Sequence, residues 1–415
     1  IEILENGLRL SRVGEVLVER CIAGWKEIEY EVMRDSAGNC ITVCNMENLD
    51  PVGVHTGDSI VVAPSQTLGD KEYQMLRTSA LNIITELGIT GGCNVQYALN
   101  PDSFEYCVIE VNPRVSRSSA LASKATGFPI ALVSAMLASG LNLDEIPCGK
   151  YGTLDKYVPD GDYVVIKFAR WAFEKFKGVE DKLGTQMRAV GEVMSIGKTY
   201  KEAFQKAIRS LEIGQFGLGF AKDFHEKSKE ELLKMLVEPN SQRQFIMYEA
   251  LRKGATVDEL FALTKIKHYF IEQMKELVEE EEALLVNKGQ VPAPEALKQA
   301  KLDGFSDKYL GQILEVPEED IRNARIAQGV EEAWEGVHVS GTKDNAYYYS
   351  TYHCKDESPV SDNKNKIMIL GGGPNRIGQG IEFDYCCVHA AIALKKLGFE
   401  TIIVNCNPET VSTDY

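Results

Sequence analysis

The spacing of apolar residues changes twice along the 415 residues, and that double switch restricts the chain to a multidomain fold. From about Asp223 to Val330 the pattern runs helix after helix. On one Glu-rich segment Phe270/Ile271, Met274, Leu277/Val278 and Leu284/Leu285 form a single helical stripe. Breaks at Pro239-Asn240, Gly254, Gly289 and Gly304 separate the helices. No nucleotide loop or catalytic constellation falls in this stretch, which reads as a spacer or assembly unit. On either side of it, strands and helices mix.

The first 150 residues read as mixed α/β. Ile28, Tyr30 and Val32 alternate with Glu29 and Glu31, the period of a half-buried strand, and Asp35–Asn39 is a turn leading to a return strand from Cys40 to Met46. Asp70 can N-cap a helix with a stripe at Tyr73, Leu76, Ala80, Ile83 and Leu87, stopped by Gly88. Strands over 94–100 and 106–112 follow, then a small-residue helix from Ser118, broken at Gly127-Phe128-Pro129. Near residue 360 the polar segment Ser361–Asn365 reads as a linker. The strand Ile367–Leu370, a Gly-rich turn, a helix over 381–397 and the strand 401–405 then form one βαβ unit, which implies a parallel sheet.

Composition narrows the function classes. A net charge of −16 argues against broad nucleic-acid or membrane-surface binding, so anions would have to be held by local clusters of Arg, Lys and backbone N–H groups. No apolar run approaches the roughly 18 residues of a membrane span. The ten cysteines lack metal spacing and read as reduced core thiols, which suits a cytoplasmic location. The N-terminus is neither Met nor a signal sequence, and a two-strand parallel unit is not a complete domain; the chain is expected to lie inside a longer product.

The sharpest constellation is Glu110-x-Asn112-x-Arg114 at the end of an apolar strand. Residues i and i+2 project to one face, so Glu110 and Asn112 offer two oxygens side by side, suited to a hard cation such as Mg²⁺. Gln96 on the preceding strand can add a third oxygen, and Arg114 and Arg117 can hold anions around the metal. Gly53–Ser59 is a polar, Gly-bearing segment where backbone can approach a ligand, and Glu27 could accept hydrogen bonds from a ribose. Gly371–Gly378 lies between strand and helix, as phosphate loops do, but is neither a Walker A nor a clean dinucleotide fingerprint. None of the six histidines stands in a nucleophile motif; His389 reads as a packed residue and Tyr347–Tyr352 as packing between domains.

Taken together these segments resemble the large subunit of the carbamoyl-phosphate synthase family. The resemblance is carried by Gly24-Trp-Lys-Glu27, Ile28–Val32, Gly53-Val-His-Thr-Gly57, Ile109–Arg114, Ser116–Gly127, Phe173–Phe176 and Gln186–Met194, then by Gly371–Tyr385 and Asn405–Tyr415. It covers essentially the whole chain, with 222–360 matched by position more than by motif. It implies an α/β and α+β multidomain fold: the C-terminal lobe of an ATP-grasp carboxyphosphate unit over 1–220, an all-helical oligomerisation domain over 221–362, and from 363 to 415 the start of a parallel pre-ATP-grasp α/β domain. It implies an ATP-dependent ligase making carbamoyl phosphate from bicarbonate, glutamine-derived ammonia and two ATP, in arginine and pyrimidine biosynthesis, this half phosphorylating bicarbonate to carboxyphosphate.

Carried over by position, Gln96, Glu110 and Asn112 would hold Mg²⁺ or Mn²⁺, and Gln96 and Glu110 would also face ATP. Glu27 would hold the ribose, Gly53, Val54 and His55 would contact the nucleotide, and Ile22 would meet adenine through its backbone beside Arg20, where the family often has Glu or Lys. Arg114 and Arg117 would bind bicarbonate and carboxyphosphate. The implied partners are a glutaminase small subunit or fused domain, and further copies of the chain through the helical domain. These residues alone are expected to be inactive. The alternatives are a helical assembly piece without catalysis, or another ATP-grasp carboxylase or ligase.

Overall fold

The computed structural model describes residues 1–175, 177–340, 346–372, 375–376, 381–405 and 407. Its first part opens with the short helix α1 (Glu2–Leu10) and is built on an antiparallel sheet. Strands β1 (Lys26–Arg34), β2 (Cys40–Asn48), β3 (Val61–Ala63), β4 (Gly91–Leu99) and β5 (Tyr106–Asn112) are joined by β8 (Val164–Arg170) and β9 (Gly191–Gly197), with a small hairpin of β6 (Pro147–Cys148) and β7 (Gly152–Thr153) set apart. The order across the sheet is β9-β8-β3-β2-β1-β4-β5, extended beyond β9 by the two residues of β13 (Asn375–Arg376).

The two faces of the sheet are covered differently. On one, Ile28, Tyr30 and Val32 of β1 pack with Val95, Tyr97 and Leu99 of β4 beneath Leu76, Ala80 and Ile84 of α2 (Asp70–Glu86). The other is covered by α3 (Arg117–Thr126) and α4 (Ile130–Ala138), with Leu121, Ala122, Ile130 and Val133 buried against Met33, Val43 and Met46. The β1 strand is therefore buried on both sides, not half-buried as its alternation suggested: Glu27, Glu29 and Glu31 are all buried, Glu31 against Ser119 of α3 and Glu27 against Thr56. A row of buried carboxylates is tolerable only because each finds polar partners. The α2 cap is Gly69, not Asp70; the Gly69 N–H donates to Glu72 at 2.8 Å, and Asp70 is the first helical residue.

Helix α5 (Tyr200–Ser210) packs on β8 and β9 and begins a core that runs without a break into the helical region. That region holds α6 (Lys229–Met235), α7 (Arg243–Arg252), α8 (Val257–Thr264), α9 (His268–Leu285), α10 (Pro294–Leu302), α11 (Asp307–Leu314) and α12 (Glu318–Ala327). The stripe read on α9 is buried at Phe270, Ile271, Met274, Leu277, Val278 and Leu284. Capping boxes start α6 at Ser228 with Glu231 and α8 at Thr256 with Glu259. A buried ion pair crosses the junction: Arg243 of α7 grips Asp50, with Nε to Oδ1 at 2.7 Å, and lies over the Trp171 ring.

The helices end at Ala327. Inside the span assigned to an all-helical unit, β10 (Ala333–His338) and β11 (Ala346–Thr351) instead form an antiparallel pair. It folds back on the first lobe, burying Tyr349 against Tyr163 with ring centres 5.6 Å apart. Its aromatic and β-branched residues, Trp334, Val337, the three tyrosines 347–349 and Thr351, suit a strand better than a helix. Beyond it, β12 (Lys366–Leu370) pairs in parallel with β14 (Glu400–Val404) across α13 (Ile381–Lys396), the expected βαβ unit. His389 on α13 is exposed, its ring against Tyr385 at 4.4 Å, and so is not a core residue. Of the nine described cysteines, Cys44, Cys93 and Cys148 are buried, whereas Cys21 and Cys386 are exposed. The read on Cys406 lies outside the described residues.

Residues 355–365 are extended and mostly exposed, tied to the βαβ unit through Ser361, whose hydroxyl donates to Glu400 at 2.5 Å. Limited proteolysis is expected to cut first between 356 and 365, because few packing contacts resist local opening there. First cuts inside 26–112, with 356–365 protected, would contradict this division of the chain.

Candidate active site

The β-ladder decides which side chains meet. Gln96 of β4 pairs directly with Glu110 of β5, and Asn94 with Asn112. Glu110 and Asn112 are two residues apart on β5, so Gln96, Glu110 and Asn112 lie on one face of one sheet. A bulge between Gln96 and Tyr97 falls just past this group and shifts the register only beyond it. Gln96 is buried, Asn112 half-buried and Glu110 exposed on the edge strand.

The group is all hard oxygen, one carboxylate and two amide oxygens, which fits a cation of the Mg²⁺ class. Its oxygens are also uncommitted. Gln96 and Glu110 make no side-chain hydrogen bond with the described residues, and Asn112 Oδ1 accepts only a long bond from Arg114 Nη2 at 3.5 Å. Behind them the buried Asn94 Oδ1 has no hydrogen-bond partner among the described residues. No group of three or more His, Cys, Asp or Glu side chains with metal-holding geometry occurs among the described residues, so no competing centre built from those residues is present among them.

Arg114 follows β5 directly and is exposed. The next turn is fixed by a capping box in which the Ser116 N–H donates to Ser119 Oγ at 2.8 Å. Ser119 Oγ in turn donates to Glu31 at 2.9 Å, so the start of α3 is fastened to β1. Arg117 is the first residue of α3; its side chain lies outside the described set.

The nucleotide-facing candidates gather at the other end of β1. Gly24 N donates to Val52 O at 3.0 Å, and Val52 N to Trp25 O at 2.9 Å, which lays residues 22–25 along the 52–55 loop. Ile22 O accepts from Trp25 N at 3.2 Å. Gly53 has φ +124°, a conformation that only glycine adopts readily, and its missing side chain faces Ala23. Val54 is buried; His55 is exposed, its Nδ1 accepting from Gly57 N at 2.9 Å. Glu27 is buried and accepts from the Thr56 hydroxyl, and burial pushes its carboxyl up to about 8 against that bond's lowering pull. Arg20 points elsewhere, pairing with Glu105 at 3.1 Å on the surface.

Several residues that hold this arrangement escaped the sequence reading. Asp58 accepts from Trp171 Nε1 at 3.1 Å and from the N–H groups of Arg188 and Ala189 at 2.8 and 2.6 Å, pinning the 53–59 loop to the segment before β9. Glu29 accepts from the amides of Asn48 at 3.0 Å and Asn94 at 3.1 Å. Lys167, a cation in the middle of the apolar run of β8, lies 3.4 Å from Thr56 O and 3.9 Å from Glu192. A charge inside an apolar strand was a readable signal for Lys167. The Gly371–Gly378 loop lies partly outside the described residues; Gly371 N donates to Val404 O at 2.8 Å.

Three family models match the chain. They are the carbamoyl-phosphate synthase L chain ATP-binding domain over residues 1–146, the carbamoyl-phosphate synthetase large chain oligomerisation domain over 192–329, and the carbamoyl phosphate synthase preATP-grasp domain over 363–415. The carbamoyl phosphate synthase large chain of Clostridium botulinum (strain Loch Maree) is 55% identical over 418 residues, and that of Agathobacter rectalis 57% over 419. In both cases the alignment takes in 100% of this chain and 39% of the relative, so the chain spans about two fifths of the length of the relatives it matches. Among solved structures, the biotin carboxylase domain of Hydrogenobacter thermophilus 2-oxoglutarate carboxylase is similar with a TM-score of 0.41 at 14% identity. That match spans 66% of this chain and 60% of the other, too loose a likeness to argue from.

The buried Glu31 gives a pH signature. Burial raises its carboxyl to about 8, with the Ser119 hydroxyl pulling the other way. Because the folded state holds this proton more tightly than the unfolded chain, stability is full below the unfolded value near 4.5 and falls as pH rises toward 8. Glu31→Gln removes that loss. Its stability relative to the unsubstituted chain should rise by on the order of 1 kcal/mol between pH 5 and pH 8 in melting curves. A constant difference across that range would show that Glu31 stays ionised.

Proposed function

The chain belongs to the carbamoyl-phosphate synthase large-chain family, and from that premise we propose that it forms part of an ATP-dependent ligase. The ligase would make carbamoyl phosphate from bicarbonate, ammonia and two ATP. The lobe around β1, β4 and β5 would serve the first phosphorylation, bicarbonate to carboxyphosphate. The observation that carries this reading is the pairing of Gln96 with Glu110 beside Asn112, with Glu27 two residues along β1 from the partner of Gln96. That step along a strand is about 7 Å, the scale on which a nucleotide separates its ribose from its outer phosphates.

In this reading Glu27 accepts from ribose hydroxyls, and residues 22 and 53–55 border the base. Gln96, Glu110 and Asn112 would hold Mg²⁺ or Mn²⁺, which supplies charge neutralisation for the phosphate oxygens. Arg114 and Arg117 orient bicarbonate and balance the charge that accumulates on the new carboxyphosphate. Bicarbonate oxygen attacks the γ-phosphorus and ADP leaves, so the reaction needs no nucleophilic side chain, only positioning and electrostatics. The ammonia is proposed to come from a glutaminase subunit or fused domain, the helical region to mediate self-association, and the protein to be cytoplasmic.

In the full-length synthase, Glu110→Gln should reduce bicarbonate-dependent ATP turnover by about 100-fold or more, because the only charged oxygen of the proposed clamp is lost. ATP formation from carbamoyl phosphate and ADP, assigned to the other half, should stay near its original rate. Equal loss of both reactions would argue against this division of labour. For these 415 residues alone, carbamoyl-phosphate formation should be undetectable. The oxygen face lies at an exposed sheet edge, and Val108, Ile109 and Glu110 are open to solvent, whereas phosphoryl transfer needs a closed, positioned site. Bicarbonate-dependent ATP turnover by the purified chain would overturn that expectation.

A further inference from the structure

A second polar hollow lies away from the nucleotide face, where α5, the α10–α11 turn, α12 and the end of β11 converge. Its volume is about 220 Å³. Six of its lining side chains are cationic and four anionic, an excess of positive charge in a chain whose overall charge is −16. Three of the four carboxylates are already occupied. Asp307 sits between Lys301 and Arg325, each at 2.8 Å; Glu318 pairs with Arg322 at 2.8 Å; Glu202 takes the Lys198 N–H at 2.7 Å and the Thr351 hydroxyl at 3.2 Å.

That accounting leaves Lys308, which is exposed with its ammonium over the Phe216 ring at 3.9 Å, and the two more buried cations Lys206 and Arg209. The latter two are three residues apart on α5 and so share one face of the helix. Each is held by backbone carbonyls: Lys206 Nζ donates to Ile196 O and Ser350 O, both at 2.6 Å, and Arg209 Nη1 to Gly304 O at 2.9 Å. Neither has a carboxylate in ion-pair range among the described residues. The remaining lining acid, Glu332, is exposed and acts on both only through space. Burial holds the Lys206 ammonium down at about 8 and lowers the Arg209 guanidinium as well. Two cations preset by carbonyls, partly desolvated and with no carboxylate in contact, Glu202 and Glu332 acting on them only at a distance, are the chemistry of an anion receptor.

The geometry points to a binding site for a small oxyanion of the phosphate class, gripped between Lys206 and Arg209 at the junction of the sheet lobe and the helical region. The volume is below the roughly 300–1,000 Å³ of pockets for drug-sized ligands, which admits a phosphate or a short phosphomonoester but not a nucleotide. The charge fits: a divalent anion would satisfy the unpaired cations and the excess of positive lining charge together.

The test uses the full chain in an Arg114→Ala background, which removes the other proposed anion site. Inorganic phosphate and β-glycerophosphate are titrated by calorimetry and melting curves against chloride at equal ionic strength. Saturable binding of either anion is expected, the tighter of the two distinguishing a free ion from a phosphoryl group on a carrier. Arg209→Gln should weaken it by about tenfold or more, as loss of a charge-assisted bond does. Glu332→Gln, at an exposed position that should not disturb folding, should tighten it by removing the opposing charge. Absence of saturable binding in the Arg114→Ala chain, or one unchanged affinity across Arg209→Gln and Glu332→Gln, would overturn the assignment.

Discussion

Everything at the nucleotide face depends on how β4 lies between β1 and β5. Side chains alternate along a strand, so a slip of one residue would turn Gln96 to the α2 side and bring Val95 opposite Glu110. The register is held from the apolar side. Ile28, Tyr30 and Val32 interlock with Val95, Tyr97 and Leu99 under α2, and Tyr30 meets Tyr97 edge to face at 6.2 Å. The hydrophobic face of the sheet thus fixes the position of oxygens on its polar face. The bulge between Gln96 and Tyr97 marks where the two demands part, since beyond it β5 continues one residue out of step.

The polar face raises the opposite problem, because a row of three glutamates is buried there. Each is handled separately: Glu27 by the Thr56 hydroxyl, Glu29 by two amides, Glu31 by Ser119. The partners come from β2, β4, α3 and the 53–59 loop, the same elements that present the candidate site. Satisfying the carboxylates and positioning the site are therefore one network, and a change in any partner is felt on the nucleotide face. Asp58 extends that logic outward by closing its loop onto the Arg188 and Ala189 N–H groups.

This division explains what could be read from the sequence. Glu110-x-Asn112, with Gln96 on a neighbouring strand, was legible because strand periodicity alone puts i and i+2 together. The βαβ unit and the helical stripe of α9 followed from spacing in the same way. The burial of Glu29 and Glu31 was not legible: alternation of apolar residues and Glu reads as one wet face, and only the arrival of α3, far along the chain, makes that face dry. Asp58, with partners some 130 residues away, gave no local sign at all. The pair β10–β11 was missed because its neighbours set a helical expectation, although its aromatic residues were seen as packing. Local spacing reports which residues share a face; long-range contacts decide what covers it.

The helical region is not a passive spacer on this evidence of packing. One core runs from Val62 and Ile166 in the sheet through Phe204 and Ile208 of α5 to Phe270, Leu310 and Ile321 in the helices. The Asp50–Arg243 pair is buried within the same junction, and a buried pair adds little net stability while making mispairing costly. Its effect is therefore on alignment: it fixes where α7 meets the loop that leads, eight residues on, to Asp58. The β10–β11 pair closes the same junction from outside, with Ser350 O on Lys206 and Tyr347 OH on Lys124 O. A shift of the helices on self-association would have to move Asp50 or open this core. Close-packed interiors resist such gradual deformation, so the 53–59 loop and the helical region must move as one body or hold still together.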